Sequence, residues 1–137
     1  MDWQDVYEDV ITLDFEFVAE DGERPRPICL VAEALKSATQ TRLWIAEGTQ
    51  CPLPLGPKYL YVAYFASAEW NCFLSLDWDL PARIIDLYAE YRRMTNGAVG
   101  YTTRSGYGLV AAAEAFGVAA MDANHKTDMR ELIISGG

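Results

Sequence analysis

The chain has 137 residues, 51% of them hydrophobic, and a net charge of −9 at pH 7. This length and composition suit one packed globular domain and exclude a disordered chain. The acidic charge argues against a broad basic surface for phosphate contacts. Three cysteines with one histidine exclude a disulfide framework and a zinc site. Since the sequence shows no signal peptide and no apolar run of membrane length, we expect a soluble, cytoplasmic protein.

The first predicted strand covers residues 11–17, where apolar and polar residues alternate in the sequence ITLDFEF. The alternation places Asp14 and Glu16 on one face, roughly 6.5 to 7 Å apart at the backbone. Two carboxylates at this spacing can reach one divalent cation. The alternative is a strand whose outer face is merely solvated.

Two further strands are predicted at residues 28–35 and 40–46, after a turn in which Asp21-Gly22 favours a tight reversal. Short connections between consecutive strands favour a three-stranded antiparallel meander. The proline-rich stretch 47–58 predicts a loop.

Strands and helices then alternate. The apolar run 59–65 predicts a strand buried on both faces, and helical spacing predicts a helix at 68–76 with Ser67 as its cap. A short strand at 82–85 precedes a helix that Asp86 caps.

The last part of the chain is predicted to be helical. A glycine-containing, flexible connection at 95–107 leads to a helix at 108–116 that stops at Gly117. A final helix begins at Asn124 or Thr127 and runs to about residue 134. The order of elements predicts a mixed α/β fold with one sheet covered by helices.

Three short segments place acidic residues beside the predicted strands. LDFEF at 13–17 carries Asp-x-Glu on the first strand, VAYFASAEW at 62–70 puts Glu69 in the first turn of a helix, and IIDL at 84–87 ends a strand in Asp86. In this order they resemble the DEDD-type 3'-5' exonucleases, in particular the proofreading domains of family A DNA polymerases, which phages often encode. The resemblance implies a ribonuclease H-like mixed sheet, in which the antiparallel meander is followed by alternating strands and helices. It also implies that residues 1–137 form a single exonuclease-like domain that is incomplete at its C-terminal end.

The activity that this resemblance implies is hydrolysis of DNA phosphodiester bonds at the 3' end of a single strand by two Mg²⁺ or Mn²⁺ ions. Asp14, Glu16 and Glu69 are then the catalytic metal ligands, because these hard cations prefer oxygen donors. Glu69 stands where the family has Asp, and a helix dipole favours an acid there in any protein. A polymerase domain or a second fragment is the implied protein partner, and no membrane is involved.

The family's third motif is absent. It is Tyr-x-x-x-Asp or His-x-x-x-x-Asp on a late helix, but Arg130 follows His125 by five residues and no tyrosine has Asp four residues on. Asp128 and Glu131 are the candidate substitutes for the missing acid. The missing fourth carboxylate leaves two alternatives to an active exonuclease. One is a catalytically inactive nuclease-like module that binds nucleic acid or protein, and the other is a small acidic protein that binds a basic partner.

Five residues are candidates for contact with the substrate. Tyr64 and Phe65 are placed to stack on bases, although aromatic residues beside a buried strand usually belong to the core. Lys126 and Arg130 lie at helical spacing and form either a phosphate-facing stripe or a solvated face. Asp86 acts on the substrate side or only caps its helix.

Overall fold

The computed structural model describes residues 2–96, 106–119 and 123–136, without the side chains of residues 3 and 123–126. The predicted connection at 95–107 therefore lies largely outside the described residues. The elements in chain order are α1 (Trp3–Val6), β1 (Asp9–Val18), β2 (Arg26–Ala34), β3 (Thr39–Trp44), β4 (Tyr59–Ala63), α2 (Ala66–Ser75), β5 (Ile84–Asp86), α3 (Leu87–Thr95), α4 (Leu109–Ala115) and α5 (Ala123–Ile134).

The five strands form one mixed sheet in the order β3-β2-β1-β4-β5. β1, β2 and β3 pair antiparallel, which confirms the predicted meander. β4 pairs parallel with β1, and β5 pairs parallel with β4. The predicted mixed α/β class is therefore correct.

The hydrophobic core lies between one face of the sheet and α2. Alternate residues of β1 point into it, as a half-buried strand requires. Phe73 of α2 is fully buried there and makes edge-to-face contacts with Phe15 and Trp78, at centroid distances of 5.7 and 5.3 Å. The buried members of the core are Ile11, Leu13, Phe15, Leu30, Ala32, Tyr61, Cys72, Phe73 and Trp78. Packing on this side leaves Asp14 and Glu16 on the other face of β1.

The predicted cap of α2 is wrong. The helix begins at Ala66 and no side chain caps it, so Ser67 lies inside the first turn. Phe65 precedes the helix in the left-handed region, with φ 62° and ψ 56°. That backbone conformation is unusual for a residue with a bulky side chain, and it ends β4 at Ala63, two residues before the predicted end.

The predicted cap of α3 is correct. The Asp86 side chain accepts a hydrogen bond from the Tyr88 N–H at 2.9 Å. Asp86 also ends β5, so the strand turns directly into the helix.

The three cysteines are unpaired, as the sequence predicts. Cys72 is buried, while Cys29 and Cys51 are half-buried. Burial raises the pKa of the Cys72 thiol to about 12. Within the described residues, no helix has the length and apolarity needed to cross a bilayer.

Candidate functional site

Among the described residues, the second half of β1 pairs with a strand on one side only. β1 pairs with β2 along most of its length, but its pairing with β4 ends at Thr12, opposite Val62. The register with β2 also shifts between Glu16 and Phe17, where Ile28 is an extra residue on β2. Bulges occur often beside functional sites, because they redirect a side chain locally. Asp14 is exposed and Glu16 is half-buried at this irregular part of the strand.

Glu69 lies beside these two acids. It stands in the first turn of α2 and is 4% exposed, and its Oε2 accepts a hydrogen bond of 2.9 Å from the Phe15 N–H. Phe15 lies between Asp14 and Glu16 in the chain, so this bond draws α2 against the part of β1 beyond its last pair with β4. Glu69 therefore reaches the backbone between Asp14 and Glu16, but its buried side chain does not line the cavity that these two acids border.

Arg130 of α5 reaches the same part of β1. Its Nε lies 3.4 Å from Glu16 Oε2, and its Nη2 donates a hydrogen bond of 3.2 Å to the Phe17 carbonyl oxygen. Beyond the last pair of β1 with β4, the Glu69 carboxylate accepts a hydrogen bond from the Phe15 N–H, and the Arg130 guanidinium donates one to the Phe17 carbonyl oxygen. These two side chains take the place of the missing strand partner.

Two thiols indicate a negative field around β1. Burial raises the pKa of Cys29, and the nearby carboxylates of Glu16 and Asp14 raise it further. Burial is likewise the main cause of the raised pKa of Cys72, with contributions from Glu69 and Asp14. An anionic neighbour disfavours a thiolate.

A cavity of about 920 Å³ opens beside Asp14 and Glu16. It lies where β4 and β5 end, which is the usual place for ligands at parallel strands. The lining includes these two acids and an aromatic wall, which we define as Tyr64, Phe65, Tyr88 and Tyr107. The remaining lining is mainly aliphatic and includes Met129 of α5.

The aromatic wall is held together by edge-to-face contacts. Tyr88 lies 5.1 Å from Phe65 and 5.9 Å from Tyr64, measured between ring centroids. The Tyr64 hydroxyl donates a hydrogen bond to the Tyr107 carbonyl oxygen. Tyr64 is half-buried, but Phe65 is 50% exposed. Phe65 is therefore the wall residue with an open ring for a ligand.

Asp86 supports the wall. Its Oδ1 accepts hydrogen bonds from the Phe65 N–H at 3.0 Å and from the Tyr88 N–H at 2.9 Å. One carboxylate oxygen thus caps α3 and holds the unusual backbone of Phe65 in place. The structure gives Asp86 a positioning role, and a direct role towards substrate stays a prediction.

Three contributors were missed in the sequence. Tyr88 and Tyr107 complete the aromatic wall, and the Arg92 guanidinium lies 4.8 Å from the Tyr107 ring centroid and 5.8 Å from that of Tyr88. The four-residue spacing of Tyr88 and Arg92 on one helix is a usable signal for their contact. Tyr107 follows residues outside the described part of the chain, and no local signal assigns it to the wall.

Other predicted residues lie elsewhere. Trp70, a further aromatic residue of the second acidic segment, packs against the core, with its ring 5.3 Å from that of Phe73. Asp128 and Glu131 are exposed on α5. The side chains of Lys126 and His125 lie outside the described residues, so the proposed stripe of Lys126 and Arg130 is described only through Arg130.

The donor atoms suit Mg²⁺ or Mn²⁺, since all three candidate ligands are carboxylates. Their arrangement does not form a metal centre. In the parts of the chain that the structure describes, no three His, Cys, Asp or Glu side chains are grouped to hold an ion. Glu69 is engaged with the β1 backbone and Glu16 with Arg130. Ion binding at this site therefore requires a local rearrangement.

No protein-family model and no curated protein matches the chain. Among solved structures, one described as the apo form of a nuclease superposes with a TM-score of 0.54 at 14% sequence identity. The superposition covers 90% of this chain and 60% of that nuclease chain. The likeness shows a nuclease-like fold.

Proposed function

We propose that the chain is a nuclease module of the DEDD type with a ribonuclease H-like fold, which removes nucleotides from DNA 3' ends. The observation that carries the proposal is one cavity lined both by Asp14 and Glu16 of β1 and by the aromatic wall. With a divalent cation at the acids, a phosphodiester could lie there while a base stacks on an open ring such as Phe65. The fold likeness to a nuclease supports the same class of activity.

Mg²⁺ or Mn²⁺ ions are the proposed cofactors, with Asp14, Glu16 and Glu69 as candidate ligands. Such an ion activates water and neutralises charge at a phosphate. A bound divalent cation also changes the sign of the local field, which would otherwise repel a polyanion from a chain of net charge −9. In this proposal Asp14, Glu16 and Glu69 would hold the ion and orient the DNA end, and Phe65 would keep the base in the cavity.

Single-stranded DNA is the proposed substrate, and a polymerase domain or a second fragment is the proposed protein partner. The matched nuclease is longer than this chain, which spans 60% of it. A polypeptide that adds to the site would supply the basic surface and the fourth carboxylate that this sequence lacks.

The test is a digestion of 5'-labelled single-stranded DNA by the purified chain with Mn²⁺. We expect stepwise shortening from the 3' end that Glu16→Ala abolishes. Glu47→Ala is the matched control, because Glu47 is an exposed loop residue outside the cavity lining. Shortening that persists in Glu16→Ala contradicts the assignment of the site.

The proposed cation has its own test. Mn²⁺ should raise the melting temperature of the wild-type chain and not that of Asp14→Ala, because binding to the folded state alone stabilises it. An equal rise in both proteins shows that the metal assignment is wrong.

A catalytically inactive nuclease-like binding module is the second candidate. The ion pair between Arg130 and Glu16 favours it, because it occupies one of the proposed ligands. This candidate predicts that the chain retains single-stranded DNA in a binding assay while releasing no mononucleotides. Sustained release of mononucleotides excludes an inactive binding module.

A further inference from the structure

The sheet face that carries Glu16 continues across β2 to Trp44 of β3. Glu16 pairs with Cys29, and Cys29 pairs with Trp44. Directly opposite residues of antiparallel strands lie on the same face, with Cβ atoms about 5 Å apart. Trp44 therefore lies on the face of Glu16, two strands and about 10 Å away from it. Tryptophan is highly buried on average, but Trp44 is 59% exposed.

Arg42 lies beside Trp44 on the same face, because the two residues are two positions apart on one strand. It is exposed, and its Nε donates a hydrogen bond of 2.9 Å to Gln40 Oε1. Among the described residues it forms no ion pair. Val31, which pairs with Arg42 and is 42% exposed, leaves the face open next to both side chains.

We propose that this surface of β3, which we define as Trp44 and Arg42, binds single-stranded DNA upstream of the 3' end that the cavity holds. Trp44 stacks on a base, and Arg42 contacts a phosphate. The inference rests on the proposed function, since the strand is the proposed substrate. It adds a contact region outside the cavity, and the contacts themselves need no metal ion.

The chemistry of the two side chains matches this occupant. Proteins that hold single strands without reading their sequence combine aromatic rings, on which bases stack, with cationic groups along the backbone. Every base has a flat π-face, so one open indole such as that of Trp44 serves any sequence. The guanidinium of Arg42 has donors left for a phosphate, because only its Nε is bonded to Gln40.

The position on β3 also weakens the repulsion between DNA and the acids of β1. A separation of about 10 Å exceeds the Debye length of about 8 Å at physiological ionic strength, so exposed charges that far apart are largely screened. A phosphate at Arg42 is in direct contact with a positive charge. Glu33 lies one row further, opposite Gln40. Stacking on Trp44 does not depend on charge.

The plain alternative is that Trp44 only packs across the strands against Cys29 and Val31. Such cross-strand pairs stabilise a sheet whatever its function. In that case Trp44→Ala lowers the melting temperature of the chain and leaves its affinity for DNA unchanged. Two further variants separate packing from stacking, because Trp44→Phe keeps an aromatic ring and Trp44→Leu keeps only an apolar side chain.

The first experiment measures binding of a fluorescently labelled oligothymidylate to the full chain by anisotropy, with EDTA present so that no digestion occurs. Trp44→Ala should bind about five- to a hundredfold more weakly than wild type, the factor that corresponds to one stacked base. Trp44→Phe should stay near wild type, and Trp44→Leu should resemble Trp44→Ala. Leu74→Ala is the matched control, because Leu74 is an exposed apolar residue of α2, on the other side of the sheet. Wild-type affinity in Trp44→Leu overturns the stacking role.

The second experiment measures how the same affinity depends on salt. Each phosphate contact to a single strand contributes about 0.7 to the slope of log K against log salt concentration. Arg42→Gln should therefore reduce the slope by about 0.7. Arg83→Gln removes the same charge from an exposed position before β5, at the opposite edge of the sheet, and should leave the slope unchanged. Equal slopes in the two variants overturn the phosphate contact.

The outcomes also separate this inference from the proposed function. DNA binding that Trp44→Ala leaves unchanged, with intact shortening from the 3' end, overturns the inference and keeps the nuclease. Binding that depends on Trp44 without any shortening supports the surface and overturns the nuclease activity. Absence of DNA binding by the wild-type chain overturns the inference, and absence of shortening as well overturns both. A dimer that Trp44→Ala dissociates in sedimentation, with unchanged DNA binding, assigns the surface to a second copy of the chain and overturns the inference.

Discussion

The two ends of β1 use aspartate in opposite ways. Asp9 begins the strand and is 7% exposed, and it accepts hydrogen bonds from the backbone N–H groups of Val10, Lys36 and Ser37 at 2.8, 2.8 and 3.1 Å. Asp14 lies further along the same strand, exposed and lining the cavity. Asp9 and Asp14 are the same residue type on the same strand, so residue type does not distinguish their roles. The first fastens the turn between β2 and β3 to the sheet, and the second faces a space that a ligand can enter.

The two ends also differ in their strand partners. Asp9 lies where β1 pairs with β4, whereas the pairing is over before Asp14 is reached. Glu69 and Arg130 replace the strand partner beyond that point. The start of β1 is therefore held by a backbone ladder, and the part at the candidate site is held by charged side chains.

The largest expected effect is that of Asp9→Ala. It leaves three backbone N–H groups without their acceptor, so we expect the free energy of unfolding at pH 7 to fall by about 3 kcal/mol. Denaturant titration with Asp79→Ala as an exposed control measures the difference. A loss no larger than that of the control contradicts the structural role of Asp9.

The same variant carries a pH signature. Burial alone would raise the pKa of Asp9, but hydrogen bonds from Lys36, Val10 and Ser37 outweigh it and hold the pKa below its usual value. The pKa of this carboxyl in the unfolded chain is near 4, and the lowered pKa in the folded chain stabilises the fold above that pH. This stabilisation is lost as the pH falls through the folded-state pKa. The difference between wild type and Asp9→Ala should therefore shrink below about pH 4.

An intermediate effect is expected at Glu69. Glu69→Ala removes the acceptor of the Phe15 N–H beside the core and should lower the free energy of unfolding by about 2 kcal/mol. Glu69→Gln keeps an acceptor oxygen and should cost less than half of that. Chemical denaturation of the two variants side by side shows whether the hydrogen bond or the charge is responsible. An equal loss of unfolding free energy in Glu69→Ala and Glu69→Gln would show that the charge of Glu69 is responsible.

The smallest effect on stability is expected at Asp14. Asp14→Asn changes an exposed side chain to one of the same size, so the free energy of unfolding should shift by no more than about 0.5 kcal/mol. The same variant should lose Mn²⁺-induced stabilisation under the proposed function. A large loss of stability without any change in the Mn²⁺ response would make Asp14 a structural residue like Asp9 and remove the contrast between the two ends.

Local patterns predicted the elements but not the details of their ends. The alternation in β1, the Asp86 cap and the apolar run of β4 each depend on neighbours in the chain, and each prediction is confirmed. The Ser67 cap failed because the left-handed backbone of Phe65 starts α2 early, with Asp86 holding its N–H from a distant strand. No residue near Ser67 signals this contact.

The sequence by itself determined the mixed α/β class, the meander and the two acids on one face of β1, because strand periodicity and turn chemistry are local properties. Only the tertiary structure decided what these acids meet. It brought Glu69 to the Phe15 N–H, built the aromatic wall from Tyr64, Phe65, Tyr88 and Tyr107, and set Arg130 against Glu16. These partners are distant in the chain, and their contacts follow from how α2, α3 and α5 pack around the part of β1 beyond its last pair with β4, where backbone groups must still be satisfied.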